Sequence, residues 1–221
     1  MEIPLFPLPN LVLFPQVAVP LHIFEDRYKL MISRCIDQTD VFGLVLLRDG
    51  AEQESEETIH RVGVTARIVE VERLKDHRLN ILCAGETRFR IVEFTGSLPY
   101  WTAEVELFED PREEEEDVHD VYDEVSLLYR KAMDLTARVK EMEIPKLELP
   151  ASPLALSYVV SYVLDLNAPT KQQLLEAIST NDRLNLLVKE LRTQIEDLQQ
   201  QLSRKGLAHK AGSNGDLGKP R

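Results

Sequence analysis

The spacing of apolar and polar positions changes along the chain, and the changes divide it. In the first half the period is mostly two. Phe42 to Leu47 is an unbroken apolar run of strand length, as expected of a strand covered on both faces. Val62, Val64, Ala66 and Ile68 alternate with Gly63, Thr65, Arg67 and Val69, and the run continues to Val71. Leu79 to Ala84 and Arg88 to Phe94 flank Gly85-Glu86-Thr87, a connection of hairpin length. Across Phe89, Ile91, Val92 and Phe94 the alternation slips by one residue, which predicts a β-bulge. Trp101, Ala103, Val105 and Leu107 alternate with Tyr100, Thr102, Glu104 and Glu106. One early segment departs from this period. Phe24, Tyr28, Met31, Ile32, Cys35 and Ile36 fall at helical spacing and predict an amphipathic helix of about three turns. Ahead of it, Pro4, Pro7, Pro9, Pro15 and Pro20 exclude a helix and predict short extended pieces at a sheet edge.

After about residue 117 the period becomes helical. Val118, Val121, Tyr122, Val125, Leu128, Tyr129, Ala132 and Met133 form one stripe, in a helix that ends before Pro145. Ser152-Pro153 supplies an N-cap and an N1 proline for a buried helix from Leu154 to Leu166. Thr170 with Gln173 reads as a capping box for a short helix through Ile178. A last helix is expected from near Asp182 to about Arg204. Its residues Leu184, Val188, Leu191, Ile195, Leu198 and Leu202 repeat at spacings of four and three, a heptad stripe of about three heptads. Two uses of this stripe are open: packing on the chain's own bundle, or pairing with another copy or another protein. Residues 205–221 are polar and glycine-rich and are expected to be disordered.

The expected fold class is α+β: a small pseudo-barrel of about six strands with one helix, followed by an α-helical bundle that ends in a long helix. The expected divisions are a β-barrel subdomain at 1–108, an acidic linker at 109–117, the bundle at 118–204 and the tail. The linker holds seven acids and one arginine and reads as solvated, its last acids favouring the next helix start.

Composition narrows function. The net charge of −12 repels phosphate backbones and anionic membrane surfaces, so neither nucleic acid nor membrane is an expected partner. Arg67, Arg73, Lys75, Arg78, Arg88 and Arg90 are the one cluster able to reverse that judgement. The start has no basic segment, and the apolar stretch Leu11 to Phe14 is bounded by Pro9 and Pro15, so no export signal is expected and the chain is placed in the cytoplasm. Cys35 and Cys83 sit in apolar patterns with no metal-ligand spacing and are expected as buried thiols. There is no phosphate loop and no nucleophile elbow. His22, His60, His77, His119 and His209 form no zinc-ligand pair. No catalytic residue, metal or cofactor is expected.

Pro4-Leu-Phe-Pro-Leu-Pro-Asn-Leu-Val-Leu-Phe-Pro15 and Val19-Pro-Leu-His-Ile-Phe-Glu-Asp-Arg-Tyr28 resemble the opening of the Lon protease N-terminal domain. Val62-Gly-Val-Thr-Ala-Arg-Ile68, Ala84-Gly-Glu-Thr-Arg-Phe-Arg-Ile91 and Leu174-Leu-Glu-Ala-Ile-Ser-Thr-Asn-Asp-Arg-Leu184 are similar to later segments of that family, so the resemblance covers about residues 1–203. It implies a PUA-like pseudo-barrel followed by a helical bundle. It also implies capture of unfolded or tagged protein substrates and a part in assembling a hexamer. The family's AAA+ module and Ser–Lys peptidase should follow the long helix, where this chain has its polar tail, so protease activity does not carry over. The expected function is a non-catalytic protein-binding module whose partner is a protein or an unfolded polypeptide. Leu8, Leu11, Phe14, Phe24, Tyr100 and Trp101 are the candidate contacts. The alternatives are an oligomerisation or adaptor protein acting through the 184–202 stripe, and a small-ligand-binding or unrecognised hydrolase domain.

Overall fold

The structure, a computed structural model, describes residues 1–213 apart from 39, 40, 49, 50, 52, 76, 114 and 144–147, with no side chains described for 115–117 and 206–213. Its strands are β1 (Glu2–Leu8), β2 (Ala18–Ile23), β3 (Val41–Leu47), β4 (Ile59–Arg73), β5 (Leu79–Gly96) and β6 (Thr102–Phe108), with α1 (Asp26–Gln38) between β2 and β3. The helices α2 (Glu115–Lys140), α3 (Pro153–Val163), α4 (Ala168–Glu176) and α5 (Thr180–Ser213) follow. The sheet order is β2-β5-β4-β3-β1-β6, and β6 pairs again with β5. The sheet therefore closes into a ring with β2 added along the first half of β5. This is the expected α+β pseudo-barrel and bundle.

β5 makes the closure possible by serving two neighbours on one side. Leu79 to Ala84 pairs with β2, and Arg88 to Gly96 pairs with β6. The expected turn at Gly85-Glu86-Thr87 is therefore wrong, since the strand runs straight through it. Gly85 is needed for close approach. Its N–H donates to Val17 O and its carbonyl accepts from Gln16, and a Cβ there would lie 2.3 Å from Phe14 O. Thr65 Oγ1 bridges the adjoining register break, accepting from Thr87 N–H and donating to Thr87 O. The expected bulge is present, with a register shift between Ile91 and Glu93.

β1 is not an edge strand. Residues 2–4 pair with β6 and residues 5–8 with β3. Leu5 N–H donates to Trp101 O. Alternation along a strand then aims the Pro7 nitrogen toward the β6 side, past the last β6 pair, and the Pro4 nitrogen toward the β3 side, ahead of the first β3 pair. Neither proline removes a ladder bond, so an interior position costs little.

Ile3, Leu5, Val45, Leu47, Ile59, Phe89, Ile91, Ala103 and Val105 fill the ring. A larger core lies outside it, made by β2, α1, the outer faces of β3 and β4, and the helices. Ser152 caps α3 as expected, accepting from Ala155 N–H with Pro153 in the first turn. The expected Thr170–Gln173 capping box is not formed. Asn167 caps α4, its side chain accepting from Thr170 N–H at 2.8 Å. α5 runs to Ser213, beyond the expected end near Arg204, while 214–221 and Pro145 lie outside the described residues.

Phe89 fills the ring because Gly63 leaves room for it. A Cβ on Gly63 would lie 2.5 Å from Leu44 O and 2.7 Å from the Phe89 ring. The backbone contact cannot be relieved by a rotamer change. Gly63→Ala is expected to lower the unfolding free energy by about 1–3 kcal/mol. Urea unfolding measures this, and an unchanged midpoint would contradict the packing described.

Candidate functional site

Two features of this scaffold set what it can do: a buried ionic junction where the barrel meets the helices, and an exposed apolar end of the barrel.

The junction grows from the segment expected to be a solvated acidic linker. Asp110 is instead nearly enclosed, its side chain 4% exposed. Its carboxylate accepts from Arg183 at 2.8 and 3.0 Å, from Thr180 Oγ1 at 2.8 Å, from Tyr158 OH at 3.3 Å and from Arg88 Nη2. Arg88 comes from β5, Tyr158 from α3, and Thr180 and Arg183 from the first turn of α5. Both guanidiniums also donate to the carbonyls at the end of α4. Arg88 reaches Leu175 O and Ala177 O at 2.9 and 2.7 Å, and Arg183 reaches Leu174 O at 2.9 Å. The negative end of the α4 dipole thus shares the excess positive charge. Arg88 Nε is buried without a hydrogen-bond partner among the described residues. Glu113 receives the N–H of Asn181 at the start of α5. Burial alone would raise the Asp110 carboxyl. The hydrogen bonds and charge of Arg183, with Thr180 and Arg88, outweigh burial and hold it below the ordinary carboxylate value.

α2 and α5 leave this junction side by side. Glu113 meets Asn181, Glu124 meets Arg192 and Val139 O meets Lys205, so the two helices run parallel. The heptad stripe faces into the chain's own core. Leu184, Leu191, Ile195 and Leu198 are buried, and Val188 and Leu202 are half-buried against the same cluster.

The exposed end of the barrel is built by the β3–β4 loop, the first turn of α1 and the β5–β6 turn. Glu54 ties the loop to α1. It accepts from Arg27 at 2.8 and 2.7 Å and from Tyr28 OH at 2.8 Å. Ser55 and Thr58 cap each other across the loop. Trp101 stands between two hollows. One, of about 500 Å³, is shared with Arg27, Leu47, Glu54 and Leu98. The other, of about 710 Å³, is shared with Arg48, Ile59 and Arg61. The Trp101 ring meets Phe94 edge-on at 5.2 Å, and the Arg61 guanidinium lies 4.6 Å over Phe94. Leu98, 90% exposed, projects beside them.

The six candidate contacts do not form one surface. Phe14 is fully buried with its ring 6.3 Å from Tyr158, and Leu8 and Leu11 pack half-buried on the larger core. Tyr100 is buried, its hydroxyl accepting from Arg34 at 3.0 Å. Phe24 is exposed but stacks on His22, where β2 leads into α1. Trp101 alone lies at the barrel end, among Leu98, Phe94 and Arg61, which periodicity gave no reason to select. The basic cluster is also divided, since Arg88 is buried and Arg67 is paired with Glu86. Cys35 and Cys83 are buried, and burial, with the Cys35 thiol nearby, pushes Cys83 up to about 12, leaving it a poor nucleophile. Among the described residues no group of three or more His, Cys, Asp or Glu is placed to hold a metal ion, and no helix is long and apolar enough to cross a membrane.

Residues 2–193 match the family model for the ATP-dependent protease La (LON) substrate-binding domain. The Lon protease of Methylocella silvestris is 28% identical over 193 residues, which are 87% of this chain and 24% of that protein. The Lon protease of Dictyoglomus thermophilum is 24% identical over 197 residues, 89% of this chain and 25% of that protein. The chain thus spans about a quarter of the length of these relatives. Among solved structures, the Lon N-terminal domain protein from Xanthomonas campestris superposes with a TM-score of 0.63 at 23% identity, covering 86% of this chain and 98% of that one. The N-terminal domain of the Mycobacterium avium complex Lon protease gives 0.62 at 19% identity, covering 87% and 98%. Both share the fold.

Removing Asp110 leaves two guanidiniums buried without their anion. Asp110→Ala is expected to cost about 3–5 kcal/mol in urea unfolding. Because the folded carboxyl is lowered, its contribution is fully present above the unfolded value of about 3.9 and is lost as pH falls through the lowered folded value. Unfolding followed from neutral pH into that acid range should therefore fall more steeply for the native chain than for Asp110→Asn. Equal slopes would show that the carboxylate is not held by the junction.

Proposed function

The chain belongs to the family of the ATP-dependent protease La (LON) substrate-binding domain, and from that premise we propose that it is a non-catalytic module binding segments of other polypeptides at the Trp101 end of its barrel. The observation that carries this reading is the apolar surface there. Leu98 is 90% exposed beside Trp101, and hollows open on both sides of the indole. A large apolar side chain held in water beside a groove gains free energy when a partner covers it. The β3–β4 loop is tied to α1 through Glu54, so the groove is largely formed before a partner arrives and little ordering opposes binding. Family membership supports polypeptide as the class of partner. The region matched is the substrate-binding domain, and this supports a binding role.

The reading as an adaptor working through the 184–202 stripe is less well supported. Leu184, Leu191, Ile195 and Leu198 are already buried in the chain's own core. A partner helix could reach them only by displacing α2.

The test uses a fluorescently labelled, permanently unfolded client and titrates it by anisotropy. Leu98→Ser is expected to weaken binding about tenfold, corresponding to roughly 1.4 kcal/mol of lost apolar burial. Leu127→Ser on α2, 69% exposed and remote from the barrel end, is expected to leave it unchanged. Equal affinity for the native chain and Leu98→Ser would move the binding surface elsewhere.

A further inference from the structure

The Trp101 groove carries charge chemistry as well as apolar surface. Arg61 lies with its guanidinium 4.6 Å over the Phe94 ring. The ring contact restrains the guanidinium, and among the described residues no acceptor engages its N–H donors. Arg48 is also held, its Nε donating to Glu57 O at 2.9 Å, which leaves its terminal nitrogens as donors. Among the described residues, neither arginine has a carboxylate within ion-pairing distance. The other arginine at this end, Arg27, is fully engaged by Glu54 and Glu25. Glu56 and Glu57 border the same hollow, and both are exposed.

Two restrained guanidiniums therefore share one hollow with an indole, and an exposed leucine borders the hollow on the indole's other side. We propose that this groove selects extended polypeptide segments in which a large apolar residue stands next to an Asp or Glu. The apolar side chain covers Trp101 and Leu98, and the neighbouring carboxylate accepts from Arg61 and Arg48. A planar carboxylate matches the donor geometry of a guanidinium fork, and the restraint on both arginines reduces the entropy lost on pairing. The chain as a whole is strongly acidic, at −12. A carboxylate is therefore held at this hollow by direct bonds to Arg61 and Arg48, while Glu56, Glu57 and the rest of the surface oppose acidic segments that miss both arginines, which sharpens selection for the site. This inference rests on the polypeptide-binding reading above.

Trp101 is the only tryptophan in the chain, so intrinsic fluorescence reports the groove directly. Two short peptides, acetylated and amidated at their ends, would be titrated, one carrying Leu-Leu-Asp repeats and the other Leu-Leu-Asn repeats. The expected result is a saturable emission shift with both, and about fivefold to tenfold tighter binding of the Asp peptide from its charge-assisted bonds. In the double variant R48Q/R61Q, whose substitutions lie on exposed side chains, the ratio between the peptides should fall to about one. Equal affinities for the native chain, or a ratio that survives in R48Q/R61Q, would overturn the acidic preference while leaving the groove as a polypeptide site. No shift with either peptide would overturn both readings.

Discussion

Asp110 stands where the barrel ends and the helices begin, and each half of the molecule sends an arginine to it. Taking three charges out of water costs several kcal/mol per ion. The arrangement is tolerable only because nearly every donor has an acceptor. The Asp110 carboxylate receives both guanidiniums together with Thr180 and Tyr158, and the surplus positive charge rests on the carbonyl end of α4. Such a junction punishes partial opening. Separating barrel and bundle strands buried charge, so the interface is either complete or lost. α2 begins shortly after Asp110, and α5 begins with two residues that bond to it. The directions in which the parallel helices leave the barrel are therefore set at this point.

That division of labour frees the opposite resources of the barrel. Half of β5 holds β2 and the other half closes the ring with β6, and the junction consumes Arg88 in the middle. The turn that follows β5 packs Tyr100 toward α1, its hydroxyl accepting from Arg34. It carries Leu98 into solvent beside Trp101, over a floor that includes Ile59 and Leu47 from the ring. The polar ties at this end, through Glu54, Ser55 and Thr58, shape the loop without covering the apolar surface. A rigid ring bearing an exposed apolar rim is a physical form suited to holding a segment of another chain, which is the role proposed for it.

The repeating parts of this fold were readable from residues, and the single-residue devices were not. The buried run of β3, the slip near Ile91 and the Ser152-Pro153 start of α3 follow from periodicity and capping chemistry. β1 was misread because the cost of a strand proline depends on which side its nitrogen faces, and the staggered pairing with β3 and β6 is a tertiary property. Gly85 looked like a turn because close approach and positive φ call for the same residue. Asp110 was hidden among seven acids, since its arginine partners lie 22 and 73 residues away. At the candidate site Trp101 stood out as a large aromatic residue. Leu98 and Arg61 did not, because an exposed leucine in a turn and an arginine stacked on a phenylalanine leave no periodic signal. The heptad stripe was legible as a packing surface, but its partner, α2, could be assigned only from the fold.

On this geometry the Arg88–Asp110–Arg183 junction makes barrel and helices one cooperative unit. The decisive measurement is urea unfolding of Arg88→Met followed with two probes, Trp101 fluorescence for the barrel and far-ultraviolet circular dichroism for the helices. The native chain should give coincident transitions, as a single cooperative unit requires. Arg88→Met should separate them, the helices unfolding at lower urea than the barrel. Transitions that stay coincident in the variant would show that the apolar contacts alone couple the two halves, and would contradict the account.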